Sequence, residues 1–237
     1  MRLLTRCLRY GGAVLLAGCS LAQSTSPRLP YDAWYLGFRA PRYMEVWLET
    51  ADVEDVRGRT FFGAMAGTVA IGYNGEAGGW GQRISMGAGR YITGAALPKS
   101  IYVRWQSLVE PQTYRATLEI PESVRQLMLH KLPSERAPVI YQYPKMLSIA
   151  LAPGGWIKAW VMSPTSTPVE VLCQKAQVEP MGPYRGLSGG KYRPLSERAG
   201  PYIGTHAIPY DSWKCPQGPL PAAMHDHEQP RVALPNA

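Results

Sequence analysis

Glycine and proline interrupt this chain so often that long helices are excluded. The 237 residues include 24 Gly and 22 Pro, and proline breaks helix interiors and central strands alike. The apolar runs between these interruptions are short and rich in aromatic and β-branched side chains, which favours strands joined by turns. Hydrophobic residues make up 46% of the chain and charged residues 18%, so we expect a folded domain with a buried core.

Two hairpins are the clearest elements of the sequence. Residues 100–107 and 112–120 have the composition of strands and lie on either side of Pro111. Residues 146–152 and 156–162 flank a turn of one proline and two glycines. Both segments therefore predict antiparallel pairs of neighbouring strands.

The remaining elements complete a mainly β prediction. Apolar residues alternate with Glu45, Trp47 and Glu49, which is the period of a half-buried strand. We also expect strands at residues 34–38, 61–73 and 169–178, a closely approached glycine-rich loop at 75–89 and one short helix at 122–131. About eight short strands predict an antiparallel β-sandwich or an open barrel.

The domain organisation follows from shifts in composition. Residues 31–180 form the predicted β-rich domain, and residues 181–237 form a Gly/Pro-rich extension and tail. Residues 1–18 have the arginines and the short apolar run of a secretory signal peptide. The run is much shorter than the ~20 residues that span a bilayer, which indicates an anchored protein rather than a spanning one.

Cys19 is the predicted site of lipid attachment. The segment Leu16-Ala17-Gly18-Cys19 resembles the lipobox of bacterial lipoproteins, in which the cysteine becomes lipidated after cleavage. Residues 19–30 would then be a tether. By resemblance to sorted lipoproteins, Ser20 favours the outer membrane, with the domain facing the periplasm. The alternative is an ordinary signal peptide followed by a chance cysteine.

The charge of the exported chain favours an acidic partner. Removing three arginines and no acidic residues with the signal lowers the formal net charge from +8 to +5. A tethered, exported protein rarely meets nucleic acid, so we expect attraction to anionic lipid or to an acidic protein.

Cys173 and Cys215 are the predicted disulfide. They are the cysteines left in an oxidising compartment once Cys7 leaves with the signal and Cys19 carries lipid. Closing this separation of 42 residues would stabilise the fold by about 4 kcal/mol in the chain-entropy model. Two unpaired thiols remain the alternative, because the sequence does not show whether the side chains meet.

Candidate catalytic motifs lack the surroundings that they need. Ser188 lies in a G-x-S-x-G sequence, but the flanking residues predict neither the strand nor the helix of a nucleophile elbow, so a flexible glycine turn is favoured. Gly189-Gly190-Lys191 lacks the Ser or Thr of a phosphate-binding loop. The His and acidic residues at 225–228 lie in the tail, and His130 and His206 have no placed partner. We therefore expect no catalytic residue, metal or cofactor.

Two short repeats have a structural and a functional interpretation. Pro30-Tyr31-Asp32-Ala33-Trp34 recurs at 209–213 with Ser in place of Ala, and a Gly-Pro-Tyr-x-Gly motif occurs at 182–186 and 200–204. The favoured interpretation is a turn covered by an aromatic side chain. The other is a Tyr, Trp and Arg surface for a protein partner.

Three segments, at residues 31–38, 97–105 and 151–160, resemble the bacterial lipoprotein family numbered twenty-nine thirty-one among domains of unknown function. The resemblance covers residues 31–178 and rests on packing and turn motifs. Some similar lipoproteins resemble the immunity proteins encoded beside type VI secretion effectors, including phospholipases. The resemblance implies a non-enzymatic, lipid-anchored protein that binds and neutralises a secreted antibacterial effector. The alternative function is a housekeeping envelope lipoprotein that binds a cell-wall, lipid or assembly partner.

Overall fold

The structure is a computed structural model that describes residues 28–217. Its first strands are β1 Ala33–Arg39, β2 Val46–Asp55, β3 Thr60–Thr68, β4 Ala88–Thr93, β5 Pro98–Ser107 and β6 Gln112–Glu119. The later strands are β7 Leu132–Pro133, β8 Tyr141–Gln142, β9 Met146–Ala152, β10 Trp156–Met162, β11 Val169–Lys175 and β12 Gln177–Val178. The helices are α1 Glu122–Leu129 and α2 Gly200–Thr205, with 3₁₀ turns at Pro153–Gly155, Pro183–Gly186 and Tyr210–Trp213.

Two five-stranded sheets make up the body of the described residues. The first sheet has the order β11-β10-β9-β1-β4, and the second has the order β12-β6-β5-β2-β3. No closed barrel forms in residues 28–217, so the mainly β prediction is confirmed as a sandwich. Both predicted hairpins are present, β5 with β6 and β9 with β10.

The first sheet is mixed rather than purely antiparallel. β1 pairs in parallel with β9, whereas the other pairs of named strands in the described region are antiparallel. Parallel neighbours need a long crossover connection. Four strands of the second sheet (β2, β3, β5 and β6) and α1 lie between these two strands in the chain and form most of that connection.

The core lies between the two sheets. Trp34, Leu36 and Phe38 of β1 face inward, and none of the three is exposed. Every second residue of β5 does the same from the second sheet, and Ile101 and Val103 are fully buried. One face of each strand thus supplies the apolar surface that holds the sheets together.

A glycine-rich loop covers the outer face of the first sheet. A Cβ added at Gly37 would lie 1.8 Å from the carbonyl oxygen of Met86, so no side chain fits between β1 and the loop. Ser148 of β9 donates a hydrogen bond of 2.8 Å to the carbonyl of Ser85. The closely approached loop predicted at residues 75–89 is therefore confirmed, although its last two residues belong to β4.

The N-terminal predictions lie largely outside the described residues. The signal at 1–18, Cys19, most of the tether and the tail beyond residue 217 are not part of this description. Within residues 28–217, no helix combines the length and apolar character needed to cross a membrane.

Candidate functional site

The C-terminal extension lies across the outer face of the second sheet. The amide of Glu179 donates a 2.9 Å hydrogen bond to the carbonyl of Thr113. Further along, the amide of Arg193 donates to Oε1 of Gln106 at 2.9 Å, and that of Ser196 donates to Oε2 of Glu45 at 2.8 Å. The alternation of apolar and polar residues in these strands predicts that the outer face of the second sheet is in solvent. In the structure, a distant part of the same chain covers it.

Glu49 fastens the extension to this sheet. Its side chain is fully buried and accepts hydrogen bonds from Nε of Arg104 at 2.5 Å and Nε2 of Gln106 at 2.9 Å. A third bond of 2.8 Å comes from the backbone amide of Tyr184. Burial lowers the pKa of Arg104, but its hydrogen bonds to Glu49 and Tyr102 outweigh that effect and raise the pKa overall.

Trp47, two residues before Glu49, provides a second attachment. Its Nε1 donates a 2.7 Å hydrogen bond to the hydroxyl of Tyr184. The guanidinium of Arg193 lies over the Trp47 ring at 4.0 Å from the centroid. Neighbouring outward positions of β2 therefore hold the extension through both its backbone and its side chains.

The segment fastened in this way contains strained backbone. We call residues 178–190 the anchored turn. Tyr184 has a φ of 51° and Arg185 a φ of 54°, in the left-handed region that residues other than glycine rarely occupy. Conformations of this kind cost of order 1–3 kcal/mol each and persist only where the surroundings enforce them. The bonds to Glu49 and Trp47 provide that enforcement.

Large apolar side chains project from the anchored turn into solvent. Leu187 is 90% exposed, Met181 60% and Val178 52%. A turn held by buried polar contacts presents them with little conformational freedom to lose on binding. Exposed apolar groups concentrated on one segment are a feature that contact surfaces share.

A basic recess lies beside these apolar side chains. Arg115, Lys175 and Arg185 line a cavity of about 380 Å³, together with Tyr102 and the edges of β6, β11 and β12. Arg115 forms a 3.4 Å ion pair with the nearly buried Glu179, and Arg185 lies 3.5 Å from the hydroxyl of Tyr102. The recess adds positive charge next to an apolar patch, which suits a partner with an acidic rim.

The structure places Ser188 inside the anchored turn. Its hydroxyl donates a 3.3 Å hydrogen bond to the carbonyl of Pro183, and residues 187–190 form a turn. No helix begins after it before α2, so the strand–turn–helix setting of a nucleophile elbow is missing from this part of the described chain. The predicted glycine turn is therefore the local structure, and Lys191 follows it without a helix.

The two described histidines are engaged locally. His130 ends α1, with Nδ1 2.7 Å from the carbonyl of Gln126. His206 stacks on Tyr202 with ring centroids 4.0 Å apart. Among residues 28–217 there is no group of three or more His, Cys, Asp or Glu side chains that could hold a metal ion. The acidic and histidine residues at 225–228 lie outside the described residues.

The predicted disulfide between Cys173 and Cys215 is confirmed. The two sulfur atoms are 2.11 Å apart and the two Cα atoms 5.6 Å. Cys173 belongs to β11, and Cys215 follows the 3₁₀ turn at Tyr210–Trp213. The bridge therefore ties the end of the extension to the edge of the first sheet.

The repeated Pro-Tyr-Asp-x-Trp motif is structural at both positions. Trp34 and Trp213 are fully buried, and each indole donates a hydrogen bond to a backbone carbonyl, of Ala96 at 3.0 Å and of Gly79 at 2.9 Å. The second copy forms a 3₁₀ turn, as predicted, whereas the first leads into strand β1. Because both indoles are buried, neither tryptophan is part of a partner surface. In the second repeat, Tyr184 belongs to the anchored turn and Tyr202 stacks on Tyr43.

The chain belongs to the family described as protein of unknown function (DUF2931). The family model matches residues 21–211, which is more than half of the chain and includes the anchored turn. This confirms the family resemblance predicted from residues 31–178. No curated protein and no solved structure matches the chain.

Proposed function

We propose that this member of the DUF2931 family is a lipid-anchored immunity protein that binds and neutralises a secreted antibacterial effector at the periplasmic face of the outer membrane. The observation that carries the proposal is the exposure of Leu187 and Met181 on a turn held by the buried Glu49. Chemistry on a substrate would require reactive groups, whereas capture requires a rigid surface with a few strong contacts.

The anchored turn has the features of such a surface. The Tyr184 backbone amide is bonded to Glu49 and the Tyr184 hydroxyl to Trp47, so the turn that carries the apolar side chains loses little freedom on contact. The basic recess beside the turn would steer and orient an acidic partner. The two features together favour a protein partner over a small ligand.

Neutralisation would follow from occupancy alone. An effector that degrades phospholipids must bring its active-site mouth to the membrane. A protein tethered at Cys19 would be concentrated at that same surface. Covering the mouth or holding a lid closed would each prevent the reaction.

The test is whether the protein protects cells in which an effector encoded by the neighbouring gene is directed to the periplasm. Leu187→Asp should abolish both protection and co-purification of the effector, because a carboxylate cannot be desolvated in an apolar contact. Val139→Asp is the matched control, since Val139 is 88% exposed but lies between β7 and β8. We expect this control to protect as well as the wild type.

A second variant separates capture from catalysis. Ser188→Ala should protect fully and retain the complex, because the Ser188 hydroxyl serves only a local turn. Protection that survives Leu187→Asp, or that disappears in a stably folded Ser188→Ala protein, would overturn the proposal.

A further inference from the structure

A second basic cavity lies on the opposite side of the sandwich, over the outer face of the first sheet. It measures about 500 Å³, which falls in the ~300–1,000 Å³ range of small-ligand sites. Arg39, Arg42 and Arg83 line it, together with Glu76 and the backbone of the glycine-rich loop. In residues 28–217, none of the three arginines forms an ion pair, including with Glu76.

Arg39 is held in the cavity wall without a counter-ion. It ends β1 on the same face as Tyr35 and Gly37, under the loop, and its guanidinium lies 6.0 Å from the ring centroid of Trp160. Its Nη1 is completely buried and has no hydrogen-bond partner in the described part of the chain. A Cβ added at Gly81 would lie 3.3 Å from Nη2, so the loop backbone packs directly against this charge.

Arg42 brings a second positive charge to the same cavity. A Cβ added at Gly75 would lie 3.0 Å from its Nη1, and one at Gly72 would lie 3.3 Å from its Cγ. The side chain thus lies against glycine backbone rather than beside a carboxylate. Burial, and then the nearby charge of Arg42, lower the pKa of the Arg39 guanidinium.

The other arginines of residues 28–217 that are buried to a similar extent are paired. Arg104 meets Glu49 at 2.5 Å, and Arg125 meets Glu122 at 2.7 Å. A partly buried guanidinium next to a second one is costly when neither is paired with an acid, unless an anion completes the arrangement. The cavity is large enough to admit that anion from solvent.

We propose that this cavity is a binding site for a phosphate group, held by Arg39 and Arg42. The planar fork of each guanidinium matches two phosphate oxygens. The glycines at positions 72, 75 and 81 let the backbone approach the two arginine side chains closely and hold them at the cavity. The phosphate could be carried by a small soluble phosphate ester or by a phospholipid headgroup, and the two are distinguished below. The site is independent of the anchored turn and of the immunity function.

The first arm measures binding of soluble phosphate to the full-length mature protein in neutral detergent. Inorganic phosphate and glycerol 3-phosphate should raise the melting temperature of the wild type in a saturable manner. Arg39→Met keeps an apolar stem of similar length, and Arg42→Gln alters an exposed side chain, so both should fold. Each should weaken phosphate binding about tenfold or more. Arg90→Gln, an exposed arginine of β4 in the same sheet, should leave it unchanged.

A further readout distinguishes a ligand site from a structural role. Without phosphate, Arg39→Met should melt no lower than the wild type, because the substitution removes a buried, unpaired charge. If the Arg39 guanidinium stabilised the fold instead, Arg39→Met would melt at a lower temperature than the wild type.

The second arm replaces soluble phosphate with vesicles. The mature protein lacking its lipid, through Cys19→Ser, is mixed with phosphatidylglycerol vesicles and with uncharged-detergent micelles as a blank. Flotation that requires Arg39 and Arg42, without a response to soluble phosphate, assigns the phosphate to a lipid headgroup. The reverse assigns it to a soluble ester. A wild type that binds neither probe, or binding that persists in both Arg39→Met and Arg42→Gln, overturns the proposal.

Discussion

Replacing Glu49 by Gln should destabilise the fold and release the anchored turn. The carboxylate receives three donors, from Arg104, Gln106 and the amide of Tyr184, and no part of its side chain is exposed. A glutamine has one acceptor oxygen, and its NH₂ group would point at N–H donors with which it cannot form hydrogen bonds. At least one donor would lose its partner, and Arg104, which is only 12% exposed, would lose its counter-charge.

The magnitude follows from the burial of this ion pair. Removing one partner of a buried, hydrogen-bonded pair costs about 3–5 kcal/mol, because the other charge stays buried. Glutamine retains part of the hydrogen bonding, so we expect the lower end, about 3 kcal/mol. That is a large fraction of the ~5–15 kcal/mol by which domains are stable. The left-handed backbone at Tyr184 would relax as well, since its amide would lose the acceptor that fixes it.

Urea denaturation followed by tryptophan fluorescence measures the change in free energy of unfolding. Glu54→Gln is the matched control, because Glu54 also lies on β2 and pairs with Lys99 at 2.8 Å, but both side chains are solvent-accessible. The control should differ little from the wild type. Limited proteolysis should cut Glu49→Gln within residues 181–190 before any other site. If Glu49→Gln loses no more stability than Glu54→Gln, the assignment of Glu49 as the anchor is wrong.

Two further predictions concern the covering segments of the first sheet. The double variant Cys173→Ala and Cys215→Ala should lose about 4 kcal/mol of unfolding free energy, because the bridge spans 42 residues; a reduced wild type that denatures at the same urea concentration as the oxidised protein would contradict this. Gly37→Ala should lower the melting temperature sharply, because the new Cβ would lie 1.8 Å from the carbonyl oxygen of Met86. Gly204→Ala is the control and should not lower it, because a Cβ there has no atom within 4 Å. Equal melting temperatures of the two variants would refute the close approach of the loop to β1.

The strands and the disulfide could be predicted because their signals are local. Residues 146–152 and 156–162 have apolar runs that meet at a proline–glycine turn, and pairing between them needs no information from elsewhere. The pairing of Cys173 with Cys215 follows once Cys7 and Cys19 are set aside, and that step requires only that the protein is exported to an oxidising compartment. The parallel pairing of β1 with β9 depends on the route of the whole chain, so alternation could not reveal it.

The candidate sites were harder to predict because they form where covering segments meet the outer faces of the sheets. Alternation places Trp47 and Glu49 on the outer face of β2, and the structure agrees. Alternation also implies that this face is in solvent. Instead, Glu49 accepts a hydrogen bond from the amide of a residue 135 positions further along the chain. A tryptophan between two glutamates was the available signal, since an outward indole suggests a covered face.

Gly37 carries the corresponding signal on the other sheet. A glycine in the middle of an aromatic strand leaves room for a backbone rather than a side chain, and the same face then ends in Arg39. Because both outer faces are covered, their polar residues are not solvated. They either form buried hydrogen bonds to the covering segment, as Glu49 does, or are left as unpaired charges, as Arg39 is. Both candidate sites therefore lie where the covering loop or the extension meets a sheet, and the positions of these segments depend on contacts far apart in the sequence. This explains why the strand pattern predicted the sandwich but did not locate either the anchored turn or the arginine cavity.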